Sequence, residues 1–291
     1  MKYSRLARKE IVIALCFLLP SLIGFALFYI IPFGQTISHS LQDRLVNGGD
    51  RGITLQHYQA IVASSSFRNA ASNTGSFIAI AVPLIVVISL ALAMMLNSHV
   101  YLRKWLRTAY VLPLVVPVAS IILVWQLLFD WNGALNEWLV RLGGGRVDWM
   151  KTEWAQAVII MMYIWKNTGY NVVLFLAGLQ NIPEQYYEIA SLEGAGRWRK
   201  LSITIIYLVP TFFLVILMSI LNSFKIFRET YLIAGEYPHD SIYMLQHYMN
   251  NLFLSLDMEK LSAAAVLMAI AILVLVFVLF RVEKVFRSFM E

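Results

Sequence analysis

The residues best suited to meeting a polar solute lie close together in the sequence. Trp165, Lys166, Asn167, Tyr170 and Asn171 fall inside one otherwise apolar run, and Asn222 lies near the end of another. Asn167 and Asn171 are one helical turn apart, and Gly169 between them is expected to allow a bend. Amides and aromatic rings hold polyols by hydrogen bonding and stacking, so this cluster suits a saccharide. The same residue types also serve structure: buried amides bond neighbouring helices, and a lysine at membrane depth pairs with an acid or snorkels. Gln126 and Lys225 are weaker members of the set.

Groups that would do covalent chemistry are not in place. The five histidines lie outside the apolar runs, which leaves no evident general base at membrane depth. No GxxxxGK[ST] loop occurs, and Gly143, Gly144 and Gly145 followed by Arg146 read as a flexible turn. Cys16 is single, which excludes an intrachain disulfide, and Glu236, His239 and His247 lack a metal-ligand spacing. No catalytic residue and no metal are therefore expected.

A second constellation lies in the sequence LAGLQNIPEQYYEIASLEGAGRWRK. Pro183 suits a first helical turn, Glu184 and Glu188 favour its positive end, and Arg197, Arg199 and Lys200 follow the other end. A short helix from about Pro183 to Glu193 is predicted. Tyr187, Ala190, Ser191 and Gly194 recur on it at spacings of three and four, a face with an aromatic edge and a small-residue centre. Such a face admits close approach of another surface. On residue chemistry alone, Gly194 serves equally well as a plain helix C-cap.

The elements that must position these groups are membrane helices. The chain has 291 residues, 59% hydrophobic and only 14% charged, which points to lipid rather than water as the main solvent. Apolar runs extend over about Ile11–Phe33, Asn73–Leu96, Thr108–Phe129, Trp154–Gly178, Ser202–Phe224 and Ser262–Phe280. Each approaches the ~20 residues that span a bilayer as helix and exceeds the length of a barrel strand. The expected fold is an all-α integral membrane protein with six transmembrane helices. The first run is too long for a signal peptide and is read as an uncleaved span. Lys2, Arg5, Arg8 and Lys9, Arg103, Lys104 and Arg107, the 179–201 loop, and Arg281, Lys284 and Arg287 concentrate basic charge on one side, so both termini are expected in the cytoplasm. The net charge of +6 is thus a matter of topology, and no nucleic-acid partner is expected. Residues 1–72 form an N-terminal tail, the first helix and an extracytoplasmic segment. Residues 73–291 form a five-helix core.

The 179–201 segment resembles the EAA loop of permease subunits in binding-protein-dependent ABC importers of the maltose-type sugar family. Glu188, Ala190 and Gly194 stand at the Glu, second Ala and Gly of that motif, and Ala195 at the small position after it. LAGLQNIP, Leu176 to Pro183, is also similar. Ile189 replaces the first Ala, and Ile206 and Tyr207 stand where the motif has Leu-Pro, with Pro210 following. A weaker likeness covers Leu232 to Phe253. The resemblance implies a type I ABC importer permease architecture in which Tyr187, Glu188, Ala190, Ser191, Gly194 and Ala195 form a cytoplasmic coupling helix. It implies a second homologous permease subunit, two cytoplasmic ATPase subunits and an extracytoplasmic solute-binding protein as partners. It also implies no cofactor in this chain, since ATP and Mg would be bound by the ATPase subunits. The implied setting is the cytoplasmic membrane of a bacterium or archaeon, and the implied cargo is a sugar or oligosaccharide. A polyol phosphate such as glycerol phosphate is an alternative cargo, although no Arg cluster lies in the runs. A secondary transporter is the rival class. It would need intramembrane acids for a coupled ion, and none of the six runs carries a central Asp or Glu.

Overall fold

A computed structural model of the chain describes residues 2–42, 52–97 and 103–288 and is helical almost throughout. The reason is solvation. Backbone N–H and C=O groups in long apolar runs have no water to bond, and a helix satisfies them within the segment. The expected basic residues Lys2, Arg5, Arg8, Lys9, Arg103, Lys104, Arg107 and Arg287 have side chains outside the described set.

The chain divides into two units, one of residues Met1–Ser64 with Leu252–Ile270, the other of Ser65–Asn251 with Ala271–Glu291. In the first, α1 (Lys2–Phe25) passes through a π-helical turn at Ala26–Ile30 into α2 (Ile31–Leu41). The first helix therefore runs past the expected Phe33. Its large side chains, Phe17, Leu22 and Phe28 among them, are exposed, as on a lipid-facing surface. A short α3 (Gln56–Ala63) is tied to α2: Ser40 Oγ and Tyr58 OH are 2.7 Å apart, and His57 Nε2 lies 2.9 Å from the Gln42 carbonyl.

The second unit holds α4 (Ser65–Asn97), α5 (Arg103–Val115), α6 (Val118–Phe129), α7 (Ala134–Arg141), α8 (Trp154–Gln180), α9 (Glu184–Leu192), α10 (Arg197–Tyr207), α11 (Val209–Phe224) and α12 (Phe227–Ala234). It continues into α13 (Leu245–Leu254), and the last helix, α14 (Met258–Ser288), ends in it. α8 is its axis. α4, α5 and α11 all pack on it, and Ile159, Met162, Tyr163, Phe175 and Leu176 are buried. Tyr163 OH donates to the Ser219 carbonyl of α11 at 2.6 Å, and its ring meets Phe77 of α4 edge-on at 5.4 Å.

Five described helical stretches are long and apolar enough to cross a membrane: Ile13–Leu41, Ser65–Asn97, Val118–Arg141, Val209–Ala234 and Met258–Phe286. The fourth expected span, now α8, is 27 residues long but is not one of these. Its mid-helix lysine and asparagines lower its apolarity, which a helix surrounded by other helices tolerates better than one facing lipid.

Two other expectations change. The third run is not one helix, because the chain breaks at Val116–Pro117 and restarts as α6, with Pro117 extended at ψ 138°. At Gly169 α8 is unbroken, running from Trp154 to Gln180, and the glycine has a second use. A Cβ at Gly169 would lie 1.8 Å from the Tyr110 carbonyl oxygen, so this glycine exists to let the α5 backbone approach.

Candidate functional site

Polar residues at mid-α8 meet the end of α11 and the start of α12. Lys166 Nζ pairs with Glu229 Oε1, and Glu229 is only 2% exposed. Removing either partner would strand the other charge away from water. Glu229 lies beyond the fifth apolar run, Ser202–Phe224. The structure puts it near the end of the longer membrane-length stretch Val209–Ala234, so a buried acid stands just beyond the run read as the fifth span. A lysine in mid-span was the available signal, since such a cation demands a counter-charge.

Asn167 and Asn171 do what amides between helices do. Asn167 Nδ2 donates to the Tyr163 carbonyl one turn back at 2.9 Å, and Asn171 Nδ2 donates to Ser219 Oγ of α11 at 2.9 Å. Asn171 is buried and is turned to structure. Asn167, also largely buried, lines a cavity of about 240 Å3 together with Leu114, Val116, Val118, Lys166, Asn222, Lys225, Ile226, Arg228 and Glu229. Asn222 Oδ1 accepts from Lys225 Nζ at 3.3 Å. Trp165 is half exposed and meets Trp125 edge-on at 6.2 Å, but it does not line this cavity, nor does Tyr170. The cavity thus gathers Lys166, Asn167, Asn222 and Lys225 from the expected set, leaves out Trp165, Tyr170, Asn171 and Gln126, and adds Arg228 and Glu229.

The second constellation forms a helix, α9, as the 179–201 sequence predicts. Pro183 caps it in an extended conformation just before the first turn. Gly194 closes it with φ 75°; its N–H donates to Ser191 O at 3.1 Å and the Ala195 N–H donates to Ala190 O at 2.8 Å. This is the Schellman arrangement, in which a glycine takes the left-handed position that ends the helix. The expected face is split: Ser191 and Gly194 are exposed, while its other two members turn inward. Tyr187 and Ala190 turn toward the chain's own body, Tyr187 OH lying 2.8 Å from Thr204 Oγ1 of α10 while Ala190 is buried. Ser191 Oγ donates back to the Tyr187 carbonyl. The outward side shows Glu188, Ile189, Leu192 and Gly194, with Leu192 89% exposed and Trp198 beyond it 85% exposed. The spacing of three and four placed these residues along one helix, but periodicity carries no information on which of them face out.

On the far side of α8 from this segment in the sequence, the turn between α6 and α8 is built on Asn136. Its Nδ2 donates to Val147 O at 2.8 Å, and its Oδ1 accepts from Val147 N and Trp149 Nε1 at 3.0 and 3.1 Å. Trp149 meets Phe129 and Trp154 edge-on, so its ring packs within the turn. No cluster of three or more metal-binding side chains occurs among the described residues.

Residues 85–291 match the family described as the binding-protein-dependent transport system inner membrane component. The trehalose/maltose transport system permease protein MalF of Thermococcus litoralis is 28% identical over 239 residues, which are 81% of this chain and 81% of that protein. The lactose transport system permease protein LacF of Rhizobium radiobacter is 31% identical over 64% of this chain and 65% of its own length. Among solved structures, a bacterial ABC transporter involved in the import of the acidic polysaccharide alginate superposes with a TM-score of 0.81 at 22% identity, covering 97% of this chain and 98% of that one. That likeness extends the fold to nearly the whole chain, including the N-terminal helices that precede the family match. The helical fold, the EAA-type segment and the match over residues 85–291 make this chain a member of the binding-protein-dependent transport system inner membrane component family, a multi-pass permease component and not an enzyme.

Proposed function

We propose that this chain is one of two permease subunits of an ATP-driven importer and forms half of the path for a sugar or oligosaccharide delivered by an extracytoplasmic binding protein. Two cytoplasmic ATPase subunits, which bind ATP and Mg, drive it through α9. Both termini lie in the cytoplasm, and α8, fourth in chain order, completes the six spans, shielded from lipid by α4, α5 and α11.

One observation carries the coupling role. α9 turns Ile189 and Leu192 to the outside, and the start of α10 turns out Trp198, in a segment that joins two membrane helices, where apolar side chains have neither lipid nor their own core to cover them. A partner surface is the natural cover. Tyr187 binds α9 to Thr204 of α10 from within, and α10 packs on α11, so a push on α9 passes to both.

The cargo class is supported by the names of similar proteins, which concern trehalose and maltose, lactose, arabinooligosaccharides and alginate. These are saccharides, neutral and acidic alike, and a polyol phosphate is not among them. The rival secondary transporter would use Glu229 as its ion carrier, but that carboxylate is already held by Lys166.

Cysteine cross-linking tests the reading. Leu192→Cys in the assembled complex should cross-link to the ATPase subunit with a short bifunctional maleimide, whereas Ala190→Cys, facing inward, should not. Cross-linking at neither position in a complex that hydrolyses ATP would refute the docking of α9.

A further inference from the structure

Resting on the proposed importer role, we infer that the cavity between α8, α11 and α12 selects an anionic saccharide, one bearing a carboxylate or sulfonate among its hydroxyls. Four charged side chains line it: Lys166, Lys225, Arg228 and Glu229. Three are cationic and one is anionic. Glu229 does not neutralise the outer two, because its Oε1 is held by Lys166 and its Oε2 is closed off with no partner. Lys225 and Arg228 are exposed, and among the described residues Lys225 Nζ bonds only the neutral amide of Asn222 one turn back and neither cation has an ion pair. The cavity therefore presents two cations without a counter-charge.

Their position makes that charge significant. Both lie in Val209–Ala234, a stretch otherwise apolar enough to cross a membrane, where cations are rare and serve pathways or pairs. The remaining wall adds to the same field. Val118 begins α6 immediately after the break at Val116–Pro117, so the positive end of a 12-residue helix borders the cavity beside the two cations. Asn167 and Asn222 supply uncharged polar groups of the kind hydroxyls bond to, and Leu114, Val116, Val118 and Ile226 supply an apolar side for the C–H face of a ring. At about 240 Å3 the cavity is smaller than most small-molecule pockets (~300–1,000 Å3), which suits a single sugar unit of a longer chain.

Oligogalacturonides and their methyl esters form the discriminating pair, because esterification removes the charge and leaves the hydroxyl pattern unchanged. The full importer, reconstituted in liposomes with its binding protein, is supplied with each, and the ratio of acid to ester uptake is compared between wild type and the Lys225→Gln/Arg228→Gln double variant. Holding the binding protein constant assigns any change in the ratio to the cavity. The expected result is an acid preference of tenfold or more in wild type that falls toward one in the double variant, with ester uptake retained. A wild-type ratio near one, or a preference unchanged in the double variant, overturns the inference. Uptake of maltooligosaccharides but of neither uronide form overturns the anionic selection and leaves the sugar importer standing. Failure to take up any saccharide while the complex hydrolyses ATP overturns the proposed function itself.

Discussion

Substitution at Gly194 separates two reasons for a glycine at the end of α9. The first is conformational: φ is 75°, where an ordinary L-residue costs about 1–2 kcal/mol and asparagine considerably less. The second is access, since a Cβ at Gly194 meets nothing within 4 Å, leaving open space for a partner to occupy. Gly194→Ala adds little bulk and mostly strains the cap. At about 1 kcal/mol it shifts the equilibrium between closed and frayed α9 ends by ~5-fold, loosening the bonds from Gly194 N–H to Ser191 and from Ala195 N–H to Ala190. Gly194→Asn tolerates the backbone but places a side chain in the open space. The assay is ATP hydrolysed per solute imported by the reconstituted complex. Both variants should assemble and both should raise that ratio, Ala through the cap and Asn through the contact. An Asn variant as well coupled as wild type would reduce Gly194 to a cap and refute the close approach. Wild-type coupling in both would refute any mechanical role for this bend.

The Lys166–Glu229 pair should behave as a unit: Lys166→Met alone or Glu229→Leu alone is expected to destabilise the chain by about 3–5 kcal/mol, and the double substitution by much less, because neither single variant can leave a charge behind at no cost. Thermal unfolding of the four proteins in detergent measures this coupling, and additive losses would show that the two charges do not depend on each other. His247 of α13 gives a pH prediction. Fully buried, with Nδ1 accepting from the Met244 N–H at 3.3 Å and Phe227 against its ring at 4.8 Å, its imidazole is pushed by burial down to about 4. The unfolded chain protonates near 6.5, so this group's contribution to stability is complete above about 6.5 and is lost as pH falls toward 4, on the order of 3 kcal/mol in all. Melting temperatures of wild type and His247→Phe across that range should converge above neutrality in slope and separate below it; parallel curves throughout would contradict the assignment.

The helices were legible because length decides them: an apolar run of ~20 residues has one way to satisfy its backbone in lipid. The break in the third run was less so. Proline alone does not predict it, since Pro20, Pro83 and Pro113 all sit within unbroken helices. What differs at Pro117 is its partner four residues earlier. Pro113 and Pro117 remove two successive N–H donors along one side of the helix, and Pro117 also disfavours a helical Val116, so two adjacent rungs fail together. That spacing was visible in the sequence and points to a break more specifically than either residue does alone. The consequence is functional, because the restarted helix brings its positive end to the polar cavity.

The two constellations differ in what spacing can reveal. In α9 it found residues that act together, yet their smallness has internal causes: Ala190 is small because it packs against the chain itself, and Gly194 is glycine because the cap requires its φ. The residues by which the segment is recognised are therefore those that shape it. Of the side chains free to meet a neighbour, Glu188 belongs to the recognisable pattern, while the apolar ones, Ile189, Leu192 and Trp198, lie outside it or depart from it. In α8 the cluster was identified from residue types alone, and half of it proved to be internal bonding because Ser219 and Glu229, distant in sequence, claim Asn171 and Lys166. A polar residue in a membrane helix always needs a partner, and sequence names the need before it names the partner. Once those internal partners are matched, the charges left over are Lys225 and Arg228, which line the same cavity and have no ion pair among the described residues, and on the inference above they are the ones that call for a ligand.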